Sequence, residues 1–158
     1  MECTFNNELC FTVGIYRLLN GAFADRNDVW NSVDGVKWRR VVEKCPWKPR
    51  GGAAVVVFDN RIWLIGGGVT DGPIFNDAWS SGDGVKWERA TSRLAARPVF
   101  GYSAIVYDGQ IWLVGANRDG VFKNAMLVSS DGVNWTEQSA PGRPGAELPP
   151  VSTTVSSL

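Results

Sequence analysis

Two apolar runs stand close together near the middle of the chain, Ala53–Phe58 (AAVVVF) and Ile62–Gly66 (IWLIG). Neither alternates apolar with polar positions, as a strand with one wet face would; such runs suit strands covered on both faces. Two shorter stretches rich in aromatic and β-branched residues follow, Asp77–Ser81 and Val85–Ala90, so the region predicts four short strands in succession. Related runs occur at Phe5–Gly14 (FNNELCFTVG) and Tyr107–Ala116 (YDGQIWLVGA). No segment sustains a 3.6-residue apolar period, and the chain reads as all-β.

The pattern is an internal repeat. DGVKW occupies Asp34–Trp38 and again Asp83–Trp87, 49 residues on, and DGVNW occupies Asp131–Trp135 after a further 48. NDVW (Asn27–Trp30), NDAW (Asn76–Trp79) and NAML (Asn124–Leu127) stand ahead of these. Trp63 and Trp112 align in the second strand of their units, and Cys10 takes that place in the first. The Asp-Gly pairs 34–35, 83–84 and 131–132 are expected to supply the positive φ values of two-residue hairpin turns, as is Asp108-Gly109. The units divide the chain into an incomplete first repeat (1–42), a second (43–90), a third (91–139) and a tail (140–158). The tail is rich in Pro, Gly, Ser and Thr and is expected to be disordered.

A four-stranded unit of this length resembles the Kelch β-propeller repeat, with its Gly pair after the second strand and its later Trp. Gly66-Gly67 match the Gly pair, while Val13-Gly14 and Gly115-Ala116 each keep one Gly. Trp30 and Trp79 match the later aromatic, and W-x-S-x-DG-V-x-W across Trp79–Trp87 is similar to repeats of bacterial and environmental proteins. CPWKPRGG (Cys45–Gly52) resembles the linker that opens a blade in that group. The resemblance implies about three four-stranded antiparallel blades, a partial propeller or half-ring. Closed propellers need about four blades or more, so three arrangements are open: a piece of a longer propeller, which the cut repeat phase favours, a homodimer completing a six-bladed ring, or an open arc.

Composition narrows the chemistry. The chain has 16 Lys and Arg against 16 Asp and Glu, which gives no long-range pull toward nucleic acid or an acidic membrane. It has no His, which excludes Ser-His and Cys-His nucleophile pairs and imidazole-bound metals. Galactose oxidase, a Kelch-type enzyme, holds copper through His ligands, so the resemblance carries no copper site here. Sialic acid epimerases share the fold, and nothing of theirs beyond the repeat is visible. Three Cys (Cys3, Cys10, Cys45) with no CxxC pair suggest neither a disulfide framework nor a thiolate metal site. No cofactor or metal is expected. The N-terminus is a poor signal peptide and no apolar run approaches a membrane span, so the sequence names no compartment.

In a blade the long second-to-third loops (15–27, 68–76, 117–123) and the linkers (43–52, 91–101) share one rim, where propellers bind ligands. Its non-repeated residues are the ligand-binding candidates: Tyr16, Arg17, Arg26, Asp71, Phe75, Arg118, Asp119 and Phe122. Trp47, alone in a linker, is a further one. Arg50 and Arg97, with Arg143, recur in the linkers and suit either a ring of guanidinium groups for an anion or braces between blades. Trp30, Trp63, Trp79, Trp87, Trp112 and Trp135 recur and read as packing; Cys10 reads as a buried thiol in a core slot. The sequence therefore points to a non-enzymatic propeller module that binds a protein or glycan. Its competitors are a carbohydrate-active enzyme using loop carboxylates such as Asp71 and Asp119, and a structural product without a ligand.

Overall fold

A computed structural model describes residues 2–17, 19–21, 23–69, 72–94, 101–118 and 121–139. They form twelve strands and, among the described residues, no helix. The first sheet contains β1 (Glu2–Phe5), β2 (Glu8–Arg17), β3 (Phe23–Ser32) and β4 (Arg39–Val42). The second contains β5 (Ala54–Phe58), β6 (Arg61–Ile65), β7 (Ala78–Ser81) and β8 (Glu88–Thr91). The third contains β9 (Ser103–Tyr107), β10 (Gln110–Arg118), β11 (Val121–Ser129) and β12 (Thr136–Ser139). Each is an antiparallel meander in chain order, and neighbouring sheets meet along their first strands, β1 against β5 and β5 against β9. This is a blade-like β fold, one repeat to a sheet.

Two kinds of turn build each sheet, and the sequence expectation holds for only one. The first hairpin of each sheet turns through Asn6-Asn7, Asp59-Asn60 or Asp108-Gly109, with both residues at positive φ. These are the tight mirror-image turns that match strand twist. The Asp-Gly pairs before the fourth strand differ: Gly35, Gly84 and Gly132 have positive φ and their Asp partners do not. Asp83 Oδ1 accepts from the Val85 and Lys86 amides and from Ser81 Oγ, while Ser81 Oγ accepts from the Gly84 amide. Trp87 Nε1 closes the loop on Gly84 O at 3.2 Å. The same bonds recur at Ser32–Trp38 and Ser129–Trp135. The repeated S-x-D-G-V-x-W is thus a side-chain-braced loop. It delays the fourth strand to Glu88, three residues beyond the expected start at Val85.

Backbone amides hold the loop carboxylates below their ordinary value of 3.8. For Asp131 the Asn134 amide is the main cause, and its pKa falls to about 2. Asp34 and Asp83 are lowered chiefly by the Lys37 and Lys86 amides.

Two apolar cores lie between the sheets. The first joins Phe5, Cys10 and Val29 to Ala53, Ile62, Leu64 and Trp87, with Cys45 and Trp47 from the linker. The second joins Ala54, Trp63, Ile65 and Ala78 to Ile111, Leu113 and Leu127, with Leu94 and Tyr102 from the next linker. The second sheet is therefore covered on both faces, as its unalternating runs require. The outer sheets are not. On β9 and β10, Ile105 is 52% exposed, Tyr107 68% and Val114 40%, because no sheet among the described residues covers that side. On the first sheet Leu9 and Trp38 are exposed, whereas their counterparts Ile62 and Trp87 are buried.

Candidate functional site

The rim that carries the predicted ligand-binding residues is built differently from a set of loops. β2 and β3 continue past an irregularity between Thr12 and Gly14 and stay paired out to Arg17↔Phe23. β10 and β11 do the same past Val114/Ala116, out to Arg118↔Val121. The stretches 15–27 and 117–123 are thus hairpin arms, and the arm of the first sheet ends in a turn where Leu19 is fully exposed. Among the described residues the second sheet has no such arm: β6 stops at Ile65, and the described residues of 66–77 fold back as a loop. Gly66 N donates to Asp77 O, Phe75 N to Gly67 O and Val69 N to Pro73 O.

The linker stitches the first arm to this loop. Arg50 N donates to Arg26 O at 3.1 Å, and Gly51 and Gly68 exchange amide bonds at 2.8 and 2.9 Å. These approaches require glycine: a Cβ on Gly51 would drive into Ile15, and one on Gly67, at φ 90°, would lie 2.8 Å from Gly51 O.

Arg50 is the keystone of the rim. It is 1% exposed. Its Nη1 donates to Gly66 O at 2.9 Å and to Asp77 Oδ1 at 2.5 Å, its Nη2 to Asp77 Oδ2 at 3.2 Å, and its Nε to Lys48 O at 3.2 Å. The guanidinium lies 4.0 Å from the centre of the Phe75 ring, and Asp77 also accepts from Trp79 Nε1 at 2.8 Å. Of the two roles open to Arg50, the geometry is that of a brace, its donors turned into the protein. Trp47 is likewise interior at 2% exposure, edge-on to Trp87 at 4.8 Å and tilted against Trp79 at 5.8 Å.

The remaining candidates separate. Arg26 is exposed at the base of the first arm, and Phe75 is half-buried against Arg50. Tyr16 and Arg17 fall on the first arm, Arg118 and Phe122 on the other. Asp71, Arg97 and Asp119 lie outside the described residues, as does Arg143, so the two carboxylates of the enzymatic alternative have no described geometry. Among the described residues no group of three or more His, Cys, Asp or Glu is placed to hold a metal, and no helix is long and apolar enough to cross a membrane.

A cleft of about 190 Å³ opens at the opposite, tight-turn end, between the first and second sheets. Phe5, Cys10, Val29, Val41, Ile62 and Val85 supply its apolar surface, and Asn6, Glu8, Asn31, Arg39 and Asp83 its polar edge. The edge is linked: Asn31 Nδ2 donates to Glu8 Oε2, and Arg39 Nε donates to Asn31 Oδ1 at 3.3 Å. Cys3 stands directly across from Cys10 on β1, and all three cysteines are free thiols. The hydrogen bond between the two sulfurs, reinforced by burial, holds Cys3 well above the ordinary 9.0, and the same bond lowers Cys10 against the opposing effect of burial. Burial, reinforced by the charge of Asp28, pushes Cys45 up to about 12. The polar edge of this cleft went unrecognised in the sequence; the one signal for it is Cys10 in a slot that elsewhere holds Trp.

No known protein-family pattern matches the chain, and no curated protein matches it. Among solved structures its fold is similar to that of YjhT, with a TM-score of 0.74 over 90% of this chain at 13% sequence identity. The chain spans about half of YjhT, 52% of its length. At that identity the likeness concerns the fold alone: a propeller-like arrangement of antiparallel four-stranded sheets.

Proposed function

We propose that this chain is a Kelch-type propeller module that binds rather than catalyses, and that it meets a protein or glycan through its hairpin rim. The observation that carries the reading is the pair of arms, β2–β3 and β10–β11, projecting beyond the sheets, the first of them from a base locked by Arg50, Gly51 and Gly68. Rigid scaffolds with projecting hairpins suit recognition. The fully exposed Leu19 at the tip of the first arm favours a protein ligand, since one apolar anchor seated in a pocket can dominate an interface.

The module works as half of a ring. The outer side of the third sheet (Ile105, Tyr107, Val114) and the open side of the first (Leu9, Trp38) are the faces that neighbouring sheets bury elsewhere in the molecule. A second copy turned about a two-fold axis would bring third sheet to first sheet twice. The YjhT chain, about twice as long, fits that count of sheets.

Light scattering behind size exclusion tests the ring: a mass twice 17.3 kDa supports it, and a monodisperse monomer at high concentration rejects it. Peptide and glycan arrays probed with wild type and with Leu19→Asp test the rim. Selective binding lost in the variant supports the reading; no binding, or binding untouched by Leu19→Asp together with Arg26→Ser, rejects it.

A further inference from the structure

The cleft at Cys10 has the place and surroundings of a missing indole ring. In the second core, Trp63 reaches from β6 to the braced loop of the next sheet and lies flat on Gly132, where a Cβ would drive into the six-membered ring. Its Nε1 donates to Phe58 O at 3.0 Å, and Trp112 repeats the bond to Tyr107 O at 3.2 Å. One interface earlier, Cys10 takes the place of Trp63, Phe5 that of Phe58 and Gly84 that of Gly132. The cleft is bounded by those three residues, Phe5, Cys10 and Gly84. Val29, Ile62, Leu64 and Trp47 belong to the same core cluster as Cys10. The thiol, far smaller than an indole, leaves the ring space as an open cleft.

We propose that this cleft binds a small molecule built on an indole-sized aromatic ring with one N–H donor. The ring would lie between Val29 and Ile62 and under Gly84, its N–H aimed at Phe5 O. A polar substituent would meet the edge formed by Glu8, Asn31, Arg39 and Asp83. About 190 Å³ is below the roughly 300–1,000 Å³ of sites for drug-sized ligands, so the occupant is one ring system. The site lies at the end of the sheets opposite the hairpin rim and does not depend on the rim's role.

The test uses free indole and 1-methylindole, with binding followed by ligand-observed NMR and by thermal shift on the full chain. Indole is expected to bind and raise the melting temperature, and 1-methylindole, lacking the donor, to bind about tenfold more weakly. Cys10→Trp fills the space from within and is expected to melt higher than wild type and to lose indole binding. Should that variant fail to fold, Cys10→Leu fills part of the space and is expected to weaken indole at least about tenfold. Cys10→Ala is expected to keep binding, which separates the space from the thiol. Absence of indole binding to wild type overturns the proposal, as does equal binding to wild type and the filled variants. A partner that binds only as a tryptophan side chain within a peptide, with free indole silent, overturns it too.

Discussion

Trp63 and Trp112 occupy the same place in successive repeats and donate through Nε1 to equivalent carbonyls, Phe58 O and Tyr107 O, yet their surroundings differ. Trp63 is 4% exposed beneath the third sheet, while Trp112 is half-buried on the outer side of that sheet. Beside Trp63, Ile65 is fully buried and Ala54 nearly so; beside Trp112, Val114 and Ile105 face out. The apolar pattern is a property of the repeat, and burial is a property of the neighbour. A sheet with no neighbour keeps the residues of an interface without the interface.

The largest expected effect breaks that equivalence directly. Trp63→Ala should cost about 3–5 kcal/mol in urea denaturation, because it empties a packed core. Trp112→Ala should cost no more than about 1–2 kcal/mol in dilute protein, where its outer side meets solvent. If a second copy covers the third sheet, the gap between the two variants narrows as protein concentration rises. A Trp112 cost equal to that of Trp63 in a proven monomer would contradict the exposed outer face.

Arg50 extends the comparison to the linkers. Arg50→Met removes the buried partner of an ion pair that ties the linker to the loop of the second sheet and leaves Asp77, 17% exposed, without its guanidinium. Breaking such a pair from one side costs about 3 kcal/mol or more. Arg26→Met, on an exposed residue of the same rim, should stay below about 1 kcal/mol. Equal costs would mean that the brace lies elsewhere.

Glycines in the third sheet sharpen the same contrast on a smaller scale. Gly132 and Gly109 both have positive φ, 73° and 66°. A Cβ at Gly109 meets nothing within 4 Å, whereas at Gly132 it meets the Trp63 ring. Gly109→Ala should therefore cost about 1–2 kcal/mol of backbone strain, and Gly132→Ala a further 1–3 kcal/mol or so of overpacking. Combining Gly132→Ala with Trp63→Leu should recover part of the second cost and none of the first.

Much of the fold was legible because the repeat prints it: the string from Trp79 to Trp87 marks the same loop three times, and the apolar runs mark the inner strands. What was misread depends on distant partners. Asp-Gly at 83–84 and at 108–109 look alike, but only the first has Ser81 placed to brace it and Trp87 to close it. Nothing local in Gly14–Arg17 announces that β2 continues, since those pairs form against β3 across a bulge. At the rim, Arg50 was open to two roles, and only its distance to Asp77 distinguishes them. The cleft is the hardest case: it is made by a side chain that is absent, and its polar edge comes from both sheets.

The smallest effect concerns the braced loops, which all three sheets share. The Asn134 amide, and then the Asn134 side chain, lower the Asp131 pKa from 3.8 to about 2. A depressed folded-state pKa contributes stability that is fully present above about 4 and is lost as pH falls toward about 2. Asp34 and Asp83 shift in the same direction, chiefly through the Lys37 and Lys86 amides. The Asp131 carboxylate is exposed, so solvent screening leaves its contribution below about 1 kcal/mol. Melting temperature should hold between pH 7 and 5 and fall between pH 4 and 2. Asp131→Asn should melt slightly lower than wild type at pH 7 and close the difference at pH 2, because protonation has by then removed the same charge. A wild-type difference that persists undiminished at pH 2 would place the role of Asp131 in its shape and not in its charge.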